Sequence, residues 1–222
     1  MKVSAIIAAA GKGARLKSKT PKAFVKLHGK LLAEYSLKAY QSSRKVHEIV
    51  LVVPKGYKSD LSFLFAAYPK LRVIIPGGIE RADSVRAGLA ACSRDTDIIL
   101  IHDSARPLIT VPDIERVIAA ARKHGAAILA APVTDTIKLV KDSVIEKTID
   151  RTRLWQAQTP QGFSRELIFK AHASKPAKQA TDDSLLAERL GVKVRSVPAS
   201  SDNLKVTTPH DLEIAAWLLK RK

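Results

Sequence analysis

The sequence predicts an α/β protein with a mostly parallel sheet that is covered by helices on both faces. Short apolar runs alternate along the chain with stretches of helical periodicity, which is typical of βαβ units. The predicted strands are Val3–Ala9, Glu48–Val53, Arg72–Ile75, Ile98–His102, Ala126–Ala131 and Val192–Val197. The predicted helices cover about 31–43, 57–68, 81–93, 111–124, 181–190 and 209–220. Ligands of such a sheet bind at the carboxyl ends of its strands.

Two of these helices begin at recognisable start signals. Thr208 is followed by Pro209 and Asp211, and this order is typical of an N-cap, a first helical residue and an acidic third position. Thr110 and Asp113 repeat the pattern before the helix at 111–124.

One segment breaks the alternation. Two strand-like runs, Ile137–Val140 and Val144–Ile149, flank Lys141-Asp142-Ser143, and this pattern predicts a β-hairpin that projects from the sheet. The chain contains no linker or repeat. We therefore predict one domain over residues 1–222, with a β-arm at about 133–156.

Composition limits the class of protein. A chain of 222 residues with 46% hydrophobic and 27% charged residues suits one soluble domain. Cys92 is the only cysteine, which excludes an intrachain disulfide, and its apolar helical surroundings predict a buried thiol. No run reaches the roughly 18 apolar residues that a membrane span needs. We expect a cytoplasmic protein with no membrane partner.

The net charge of +17 is the most unusual bulk feature. It allows nucleic-acid binding, an anionic small substrate, or a merely solvated surface. Eight basic residues precede Glu34, the first acidic residue, and a cationic segment beside a glycine turn favours phosphate binding. They are Lys2, Lys12, Arg15, Lys17, Lys19, Lys22, Lys26 and Lys30. Aromatic residues make up only 5%, and no recognition-helix motif is present, so we expect no nucleic-acid partner.

The first candidate site follows the first predicted strand. Ala9 and Ala10 lead into Gly11 and Gly13, and two glycines one residue apart allow consecutive N–H groups to face an anion. The pattern matches neither a dinucleotide fingerprint nor a P-loop.

Two cations near this turn suit nucleotidyl transfer. Arg15 and Lys22 can converge on phosphates held by the turn, and Pro21 stiffens the segment before Lys22. The attacking group in such a reaction is already an anionic phosphate. The catalytic problem is therefore repulsion between negative charges, which fixed cations relieve.

Asp103 follows another apolar strand, within His102-Asp103-Ser104-Ala105-Arg106-Pro107. A carboxylate at that edge is placed to hold Mg²⁺ against triphosphate oxygens, although it could also cap a loop. Ser104 lacks the Gly-x-Ser-x-Gly elbow of hydrolases, and we expect His102 to orient the loop.

A third candidate is Gly77-Gly78, which precedes a helix that contains Asp83 and Ser84. A double glycine allows close approach of the backbone to a flat base, and Ser84 could read base edges. A tight turn capped by Asp83 and Ser84 is the alternative interpretation.

Taken together, these segments resemble the 2-C-methyl-D-erythritol 4-phosphate cytidylyltransferase family over nearly the whole chain. Further matching segments are Asp135-Thr136-Ile137-Lys138, Asp150-Arg151, Gln158-Thr159-Pro160-Gln161, Thr181-Asp182-Asp183 and Asp202-Asn203-Leu204-Lys205-Val206-Thr207. The resemblance implies a doubly wound, Rossmann-like nucleotidyltransferase fold, a homodimer, Mg²⁺ dependence, and CTP with a sugar phosphate as substrates. Ile79 departs from the family, where aspartate is often found.

The resemblance also implies roles for individual residues. Arg15 and Lys22 would stabilise the transition state at the α-phosphate, and Asp103 would lie near metal and acceptor. The residues implied for the CTP site are Ala9, Ala10, Gly11, Gly78 and Ser84. Those implied for the acceptor are Thr136, Arg151, Thr181 and Lys205, with Thr136 and Arg151 acting across the dimer through the arm.

Three alternatives remain. A ribitol 5-phosphate cytidylyltransferase would share fold and donor, although Ala9-Ala10-Gly11, Ser104-Ala105 and Asp150-Arg151 favour the methylerythritol type. A basic nucleic-acid-binding protein would explain the charge. A nucleotide sensor would share the fold, but binding alone does not require both Arg15 and Lys22.

Overall fold

The computed structural model describes residues 1–11, 13–16, 20–57, 61–174 and 180–221. Its strands are β1 Val3–Ala8, β2 Lys26–Leu27, β3 Lys30–Leu31, β4 Glu48–Val53, β5 Leu71–Pro76, β6 Ile98–Asp103, β7 Ala126–Pro132, β8 Ile137–Lys141, β9 Val144–Ile149, β10 Trp155–Ser164 and β11 Arg195–Pro198. Its helices are α1 Leu32–Ser42, α2 Leu64–Ala67, α3 Arg81–Ala91, α4 Val111–His124, α5 Arg165–Ala173, α6 Asp183–Arg189 and α7 Pro209–Lys220.

Seven strands form one sheet in the order β11-β7-β10-β6-β1-β4-β5. Strand β10 runs antiparallel to both of its neighbours, and the other six strands are parallel. The sheet is wound outward from β1, so the predicted doubly wound, mostly parallel fold is confirmed. The carboxyl ends of β1, β4, β5 and β6 lie at one edge.

Both faces of the sheet are buried, because successive side chains of a strand point to opposite faces. On β1, Ile7 packs with Leu37 of α1 and Val117 of α4 in one apolar cluster. Its neighbour Ile6 packs with Val85 of α3 in a second cluster on the opposite face. Apolar strands with little alternation are the consequence of this double coverage.

The predicted hairpin is confirmed as β8 paired with β9. Asp142 and Ser143 connect the strands with φ values of 49° and 65°, and positive φ at both positions is typical of a type I′ turn. At its base, the Val133 amide donates to the Leu154 carbonyl at 3.0 Å. The arm is exposed along its length, and its apolar side chains include Val144, which is 67% exposed.

Both predicted helix starts are confirmed. The Thr110 hydroxyl accepts a hydrogen bond from the Asp113 amide at 3.3 Å, and the Thr208 hydroxyl accepts one from the Asp211 amide at 3.2 Å. Each bond satisfies an amide that would otherwise lack a helical partner. No helix among the described residues is long and apolar enough to cross a bilayer.

Several elements differ from the sequence prediction. Strand β10, helix α5 and the short β2–β3 pair were not predicted. The helix predicted at 57–68 is reduced in the described residues to α2, and the strand predicted from Val192 begins at Arg195. Residues 58–60 of that helix, and Lys12, Lys17 and Lys19 of the basic segment, lie outside the described residues.

Candidate active site

A cleft of ≈ 470 Å³ opens at the carboxyl edge of β1, β4, β5 and β6. It contains eight of the residues predicted from sequence: Ala9, Ala10, Gly11, Lys22, Gly78, Ser84, Asp103 and Lys205. We call it the donor cleft. Its position agrees with the rule that such sheets bind ligands where their strands end.

One wall of the donor cleft is made largely of backbone. It consists of residues 8–11 after β1 and of Gly77-Gly78 after β5. The Ala9 amide donates to the Val52 carbonyl and the Gly77 amide to the Val53 carbonyl, each at 2.7 Å, so both loops continue the sheet. A Cβ on Gly78 would lie 2.1 Å from the Cβ of Asp83, and no larger residue fits there.

Ser84 supports the tight turn, which is the structural interpretation drawn from the sequence. It is buried and lines the donor cleft. Its hydroxyl accepts a hydrogen bond from the Gly78 amide and donates to the Glu80 carbonyl, both at 3.2 Å. The Asp83 carboxylate accepts from the Glu80 amide at 3.1 Å and caps α3. Ser84 therefore holds the glycine turn in shape as well as lining the cleft.

Lys22 lies at the start of a 3₁₀ turn, Lys22–Phe24, and lines the donor cleft. Burial lowers its pKa to about 8; the charge of Lys205 acts in the same direction, as does that of Arg15, while Asp103 opposes them. Gly13 has a φ of +64°, and a Cβ there would lie 2.6 Å from the Cβ of Lys22. Gly13 thus permits the close approach of the turn to Lys22.

Arg15 lies in a separate 3₁₀ turn, Ala14–Leu16, and is exposed. It does not line the donor cleft as described. Its positive charge nevertheless contributes to the lowered pKa of Lys22. Of the two predicted cations, Lys22 is the one that lines the cleft.

Asp103, at the end of β6, is 8% exposed and paired with two cations. Its Oδ1 lies 3.2 Å from Nε of Arg81, and its Oδ2 lies 2.5 Å from Nζ of Lys205. Burial alone would raise the pKa of Asp103, but Arg81 and Lys205 outweigh it and hold the pKa far below its usual range. The side chain is therefore ionised at neutral pH.

A second cleft of ≈ 230 Å³ adjoins the first, and we call it the acceptor cleft. Arg81, Asp103 and Lys205 line both clefts. Thr181, predicted as an acceptor residue, lines only the second. The remaining side chains of the acceptor cleft come from β10 and the loops nearby, and they are mostly polar: Arg106, Ala157, Gln158, Thr159, Gln161 and Asp182.

His102 orients its neighbours, as predicted. It is fully buried, and its ring nitrogens lie 3.1 Å from the hydroxyls of Ser36 and Thr159. Thr159 in turn accepts a hydrogen bond from the Asp103 amide at 3.1 Å. Burial lowers the pKa of His102 to about 3, so the ring is neutral. The predicted burial of Cys92 is also confirmed, and burial raises the pKa of its thiol to about 12.

Thr136 and Arg151 lie on or beside the arm, and neither lines either cleft. Both are exposed. The Arg151 guanidinium donates to the Thr134 carbonyl at the base of the arm. Within one chain, the predicted acceptor residues are therefore divided between the acceptor cleft and the arm.

Sequence reasoning did not single out Arg81, Arg106 and Asp183. The Arg106 guanidinium donates to the Asn203 carbonyl at 2.6 Å, and Asp183 forms an ion pair with Arg81. Arg106 and Asp183 occur inside motifs noted above, and Arg81 begins the predicted helix that contains Asp83 and Ser84. Residue type and spacing do not distinguish these three from surface charges. Among the described residues, no group of three or more His, Cys, Asp or Glu side chains could hold a metal ion.

Comparison with known proteins identifies the family. The family model for 2-C-methyl-D-erythritol 4-phosphate cytidylyltransferase matches residues 3–221. The enzyme of that name from Endomicrobium trichonymphae is 44% identical over 99% of this chain and 100% of its own length. The one from Pelotomaculum thermopropionicum is 40% identical over 100% of this chain and 95% of its own.

Solved structures agree with this assignment. The 4-diphosphocytidyl-2C-methyl-D-erythritol synthase of Anaerococcus prevotii superposes with a TM-score of 0.87 at 30% identity, covering 99% of this chain and 96% of that one. The cytidylyltransferase of Thermus thermophilus gives a TM-score of 0.83 at 31% identity, covering 99% and 100%. The chain is therefore an enzyme, and it belongs to the 2-C-methyl-D-erythritol 4-phosphate cytidylyltransferase family.

Proposed function

We propose that this chain transfers a cytidylyl group from CTP to 2-C-methyl-D-erythritol 4-phosphate, giving 4-diphosphocytidyl-2-C-methyl-D-erythritol and pyrophosphate. The reaction belongs to isoprenoid precursor synthesis by the non-mevalonate route, and we assign it to the cytoplasm. The observation that carries the proposal is the junction of the two clefts at Arg81, Asp103 and Lys205. Two phosphorylated substrates bound on either side would meet at these charges.

CTP would occupy the donor cleft. Its triphosphate would lie on the amides of Ala10, Gly11 and Gly13, since closely spaced N–H groups bind anions. Its base would lie against Gly78 and the turn held by Ser84. The wall there is backbone, which allows a flat ring to approach closely.

The acceptor phosphate would bind in the acceptor cleft, where Lys205 and Thr181 line the wall. One of its oxygens attacks the α-phosphorus of CTP and forms a new P–O bond. The bond from that phosphorus to the bridging oxygen of the β-phosphate breaks, and pyrophosphate leaves. No general base is needed, because the nucleophile is already an anion. Lys22 and Arg15 offset the charge that accumulates on the five-coordinate phosphorus.

Mg²⁺ belongs to the proposal through Asp103. Mg²⁺ commonly takes one or two protein carboxylates and fills its remaining positions with substrate phosphates and water. One ionised carboxylate at the junction of the clefts fits that donor set. Bound there, Mg²⁺ would neutralise charge on the phosphates.

We also propose that the enzyme is a homodimer joined through the arm. Leu139, Val140, Val144 and Ile145 of the arm are 44–67% exposed, and such apolar side chains favour burial against another chain. A partner's acceptor cleft would then receive Thr136 and Arg151. This arrangement accounts for their distance from the clefts of their own chain.

The test is pyrophosphate release from CTP and Mg²⁺, with methylerythritol 4-phosphate and ribitol 5-phosphate compared as acceptors. Release with the first acceptor alone is the expected result. Release with ribitol 5-phosphate alone would replace the acceptor but keep the donor and the cations. A folded sample that releases no pyrophosphate with either acceptor would overturn the proposal. Steeply salt-dependent binding to random duplex DNA would then favour a nucleic-acid partner.

A further inference from the structure

An unbroken series of contacts, one hydrogen bond followed by three ion pairs, runs from the interior of the protein to the junction of the two clefts. His172 Nε2 lies 3.0 Å from Asp183 Oδ1, and Asp183 Oδ2 lies 2.8 Å from Arg81 Nη1. Arg81 Nε then lies 3.2 Å from Asp103 Oδ1, and Lys205 Nζ lies 2.5 Å from Asp103 Oδ2. The series joins α5, α6, α3, β6 and the segment before α7.

His172 and Asp183 are the members of the series that have no part in the proposed chemistry, and of these two Asp183 is the one that contacts Arg81. It is 1% exposed, lines neither cleft, and is the first residue of α6. Its amide donates to Gln161 Oε1 at 3.0 Å, and Gln161 Nε2 donates to Asp182 Oδ2 at 2.8 Å. Strand β10 therefore fixes the start of α6, so the Asp183 carboxylate has a defined position.

A buried carboxylate destabilises the fold unless it is paired with a cation, so Asp183 needs a positively charged partner. That partner is Arg81. Burial alone would lower the pKa of Arg81, but the carboxylates of Asp183 and Asp103 raise it well above its usual range. With one nitrogen on each carboxylate, the guanidinium bridges the two acids instead of forming a two-point pair with Asp103 alone.

Because Arg81 bridges two carboxylates, it contacts one carboxylate oxygen of Asp103 and leaves the other. Only Oδ1 of Asp103 contacts Arg81, and Oδ2 remains for Lys205. If Asp183 carried no charge, Arg81 would be free to turn both nitrogens toward Asp103, because paired N–H donors fit a carboxylate well. Lys205 would then lose its partner at the wall of the acceptor cleft.

We propose that Asp183 is a positioning residue, which acts through Arg81 to hold Asp103 and Lys205 in the arrangement that receives the acceptor phosphate. The expected change in kinetics rests on the proposed function. The expected change in the geometry of Arg81, Asp103 and Lys205 rests on the ion pairs alone. Thr181 lies two residues before Asp183, so its position in the acceptor cleft depends on the same contacts. The backbone wall of the donor cleft is not part of this series, so we expect acceptor binding to be affected more than CTP binding.

The test uses Asp183→Asn, which keeps the shape of the side chain and removes its charge. We expect KM for the acceptor to rise about tenfold or more, and CTP affinity measured by direct titration to change less than about threefold. Arg81→Lys should give the same split, because a single ammonium group does not reproduce the two-point bridge. Should Asp183→Asn fail to fold, this second variant decides the matter.

Glu48→Gln is the matched control. Glu48 is also a buried carboxylate paired with an arginine, Arg72, at 3.0 Å, but it begins β4 at the opposite edge of the sheet. We expect this variant to lose stability without any change in KM for the acceptor relative to the affinity for CTP. Equal losses in both variants with unchanged kinetics would mean that Asp183 is structural only, and would overturn the proposal.

A second measurement is independent of activity. The Nε–H signal of Arg81 in ¹⁵N NMR, assigned by its absence in Arg81→Lys, should be protected from solvent exchange in the unsubstituted protein. In Asp183→Asn it should shift and exchange faster, and in Glu48→Gln it should stay unchanged. An unaltered signal in Asp183→Asn would refute the positioning role. If the unsubstituted enzyme released no pyrophosphate, the proposed function would fail while this result still stood.

Discussion

The ammonium group of Lys22 donates a hydrogen bond to the backbone carbonyl of Val206 at 2.8 Å, across 184 positions of sequence. Val206 is fully buried and follows Lys205, so this bond joins the loop after the glycine turn to the wall of the acceptor cleft. Lys22 is thereby held at the cleft wall by the fold itself. A cation already in place needs little reorganisation when charge develops on the phosphate.

Removing this cation should affect chemistry more than binding. We expect Lys22→Ala to lower turnover by about two orders of magnitude or more while CTP still binds, because the donor wall supplies backbone contacts. Steady-state kinetics and direct CTP titration check this. Lys26→Ala, an exposed lysine of the same segment, is the control and should retain full activity. Equal turnover in Lys22→Ala would rule out Lys22 as the catalytic cation.

The pH dependence should reveal the same group. Burial, reinforced by the charge of Lys205, lowers the pKa of Lys22 to about 8, so the free enzyme loses this positive charge as pH rises through that value. We expect kcat/KM for CTP to fall above about pH 8, since this parameter reports ionisation of the free enzyme. Lys22→Arg should move the fall to higher pH. An identical alkaline limb in that variant would assign the ionisation to another group.

Gly13 can be tested against a second glycine with a similar backbone. We expect Gly13→Ala to lower turnover by roughly tenfold to a hundredfold, because its Cβ would displace Lys22. Gly125, with a φ of +81° and open space where a Cβ would lie, is the control. Both alanines are strained by about 1–2 kcal/mol at positive φ, but only the first approaches Lys22. Thermal denaturation and kinetics together separate strain from displacement, and similar kinetic losses in both would contradict this role.

Arg151 tests the arm. We expect Arg151→Ala to raise KM for the acceptor about tenfold while KM for CTP stays within about twofold, because a charge-assisted hydrogen bond to a phosphate is lost. Arg153→Ala, an exposed arginine two residues away, should change neither constant. A selective loss of CTP affinity in Arg151→Ala would contradict the proposed role of the arm.

Acid stability should depend on His102. Burial lowers its pKa to about 3, whereas the ring protonates near 6.5 when unfolded. The unfolded chain therefore binds a proton that the fold rejects, and stability falls as pH drops below about 6.5. From pH 7 to 5 this group should contribute a loss of about 2 kcal/mol. Denaturant titrations should show a shallower pH dependence for His102→Gln than for the unsubstituted protein, and an equal slope would contradict this assignment.

Strand β10 is an element that the local sequence pattern does not predict. Periodicity predicts the bounds of β4 and α4 to the residue. β4 is an apolar run, as expected of a strand buried on both faces, and α4 is amphipathic, as expected of a helix with one buried face. β10 reads Trp-Gln-Ala-Gln-Thr-Pro-Gln-Gly-Phe-Ser, and its glutamines, proline and glycine count against a buried strand. Its polar side chains instead bind distant segments, as Gln158 does with Asn203 at 2.8 Å. Those partners are not visible from local pattern.

The same distinction applies to the site. Glycines and cations beside strand ends predict the donor cleft, since parallel strands bring their carboxyl ends together. Asp183 is different, because only the folded chain shows that it lies against Arg81 and not in solvent. Arg151 was reached through the family resemblance alone, and its role remains a prediction. Helix α5 was not predicted, and the hydroxyl of its N-cap residue, Ser164, forms no capping hydrogen bond.

The backbone character of the donor wall bears on how the enzyme could escape an inhibitor. Resistance commonly arises when a point mutation adds bulk or removes a contacted side chain. Here a Cβ on Gly77 would lie 2.4 Å from that of Ala10, and one on Gly78 would collide with Asp83. Added bulk would damage the enzyme itself, and amides offer no side chain to lose. A compound that packs against this backbone wall would therefore leave few routes to resistance within the pocket it occupies.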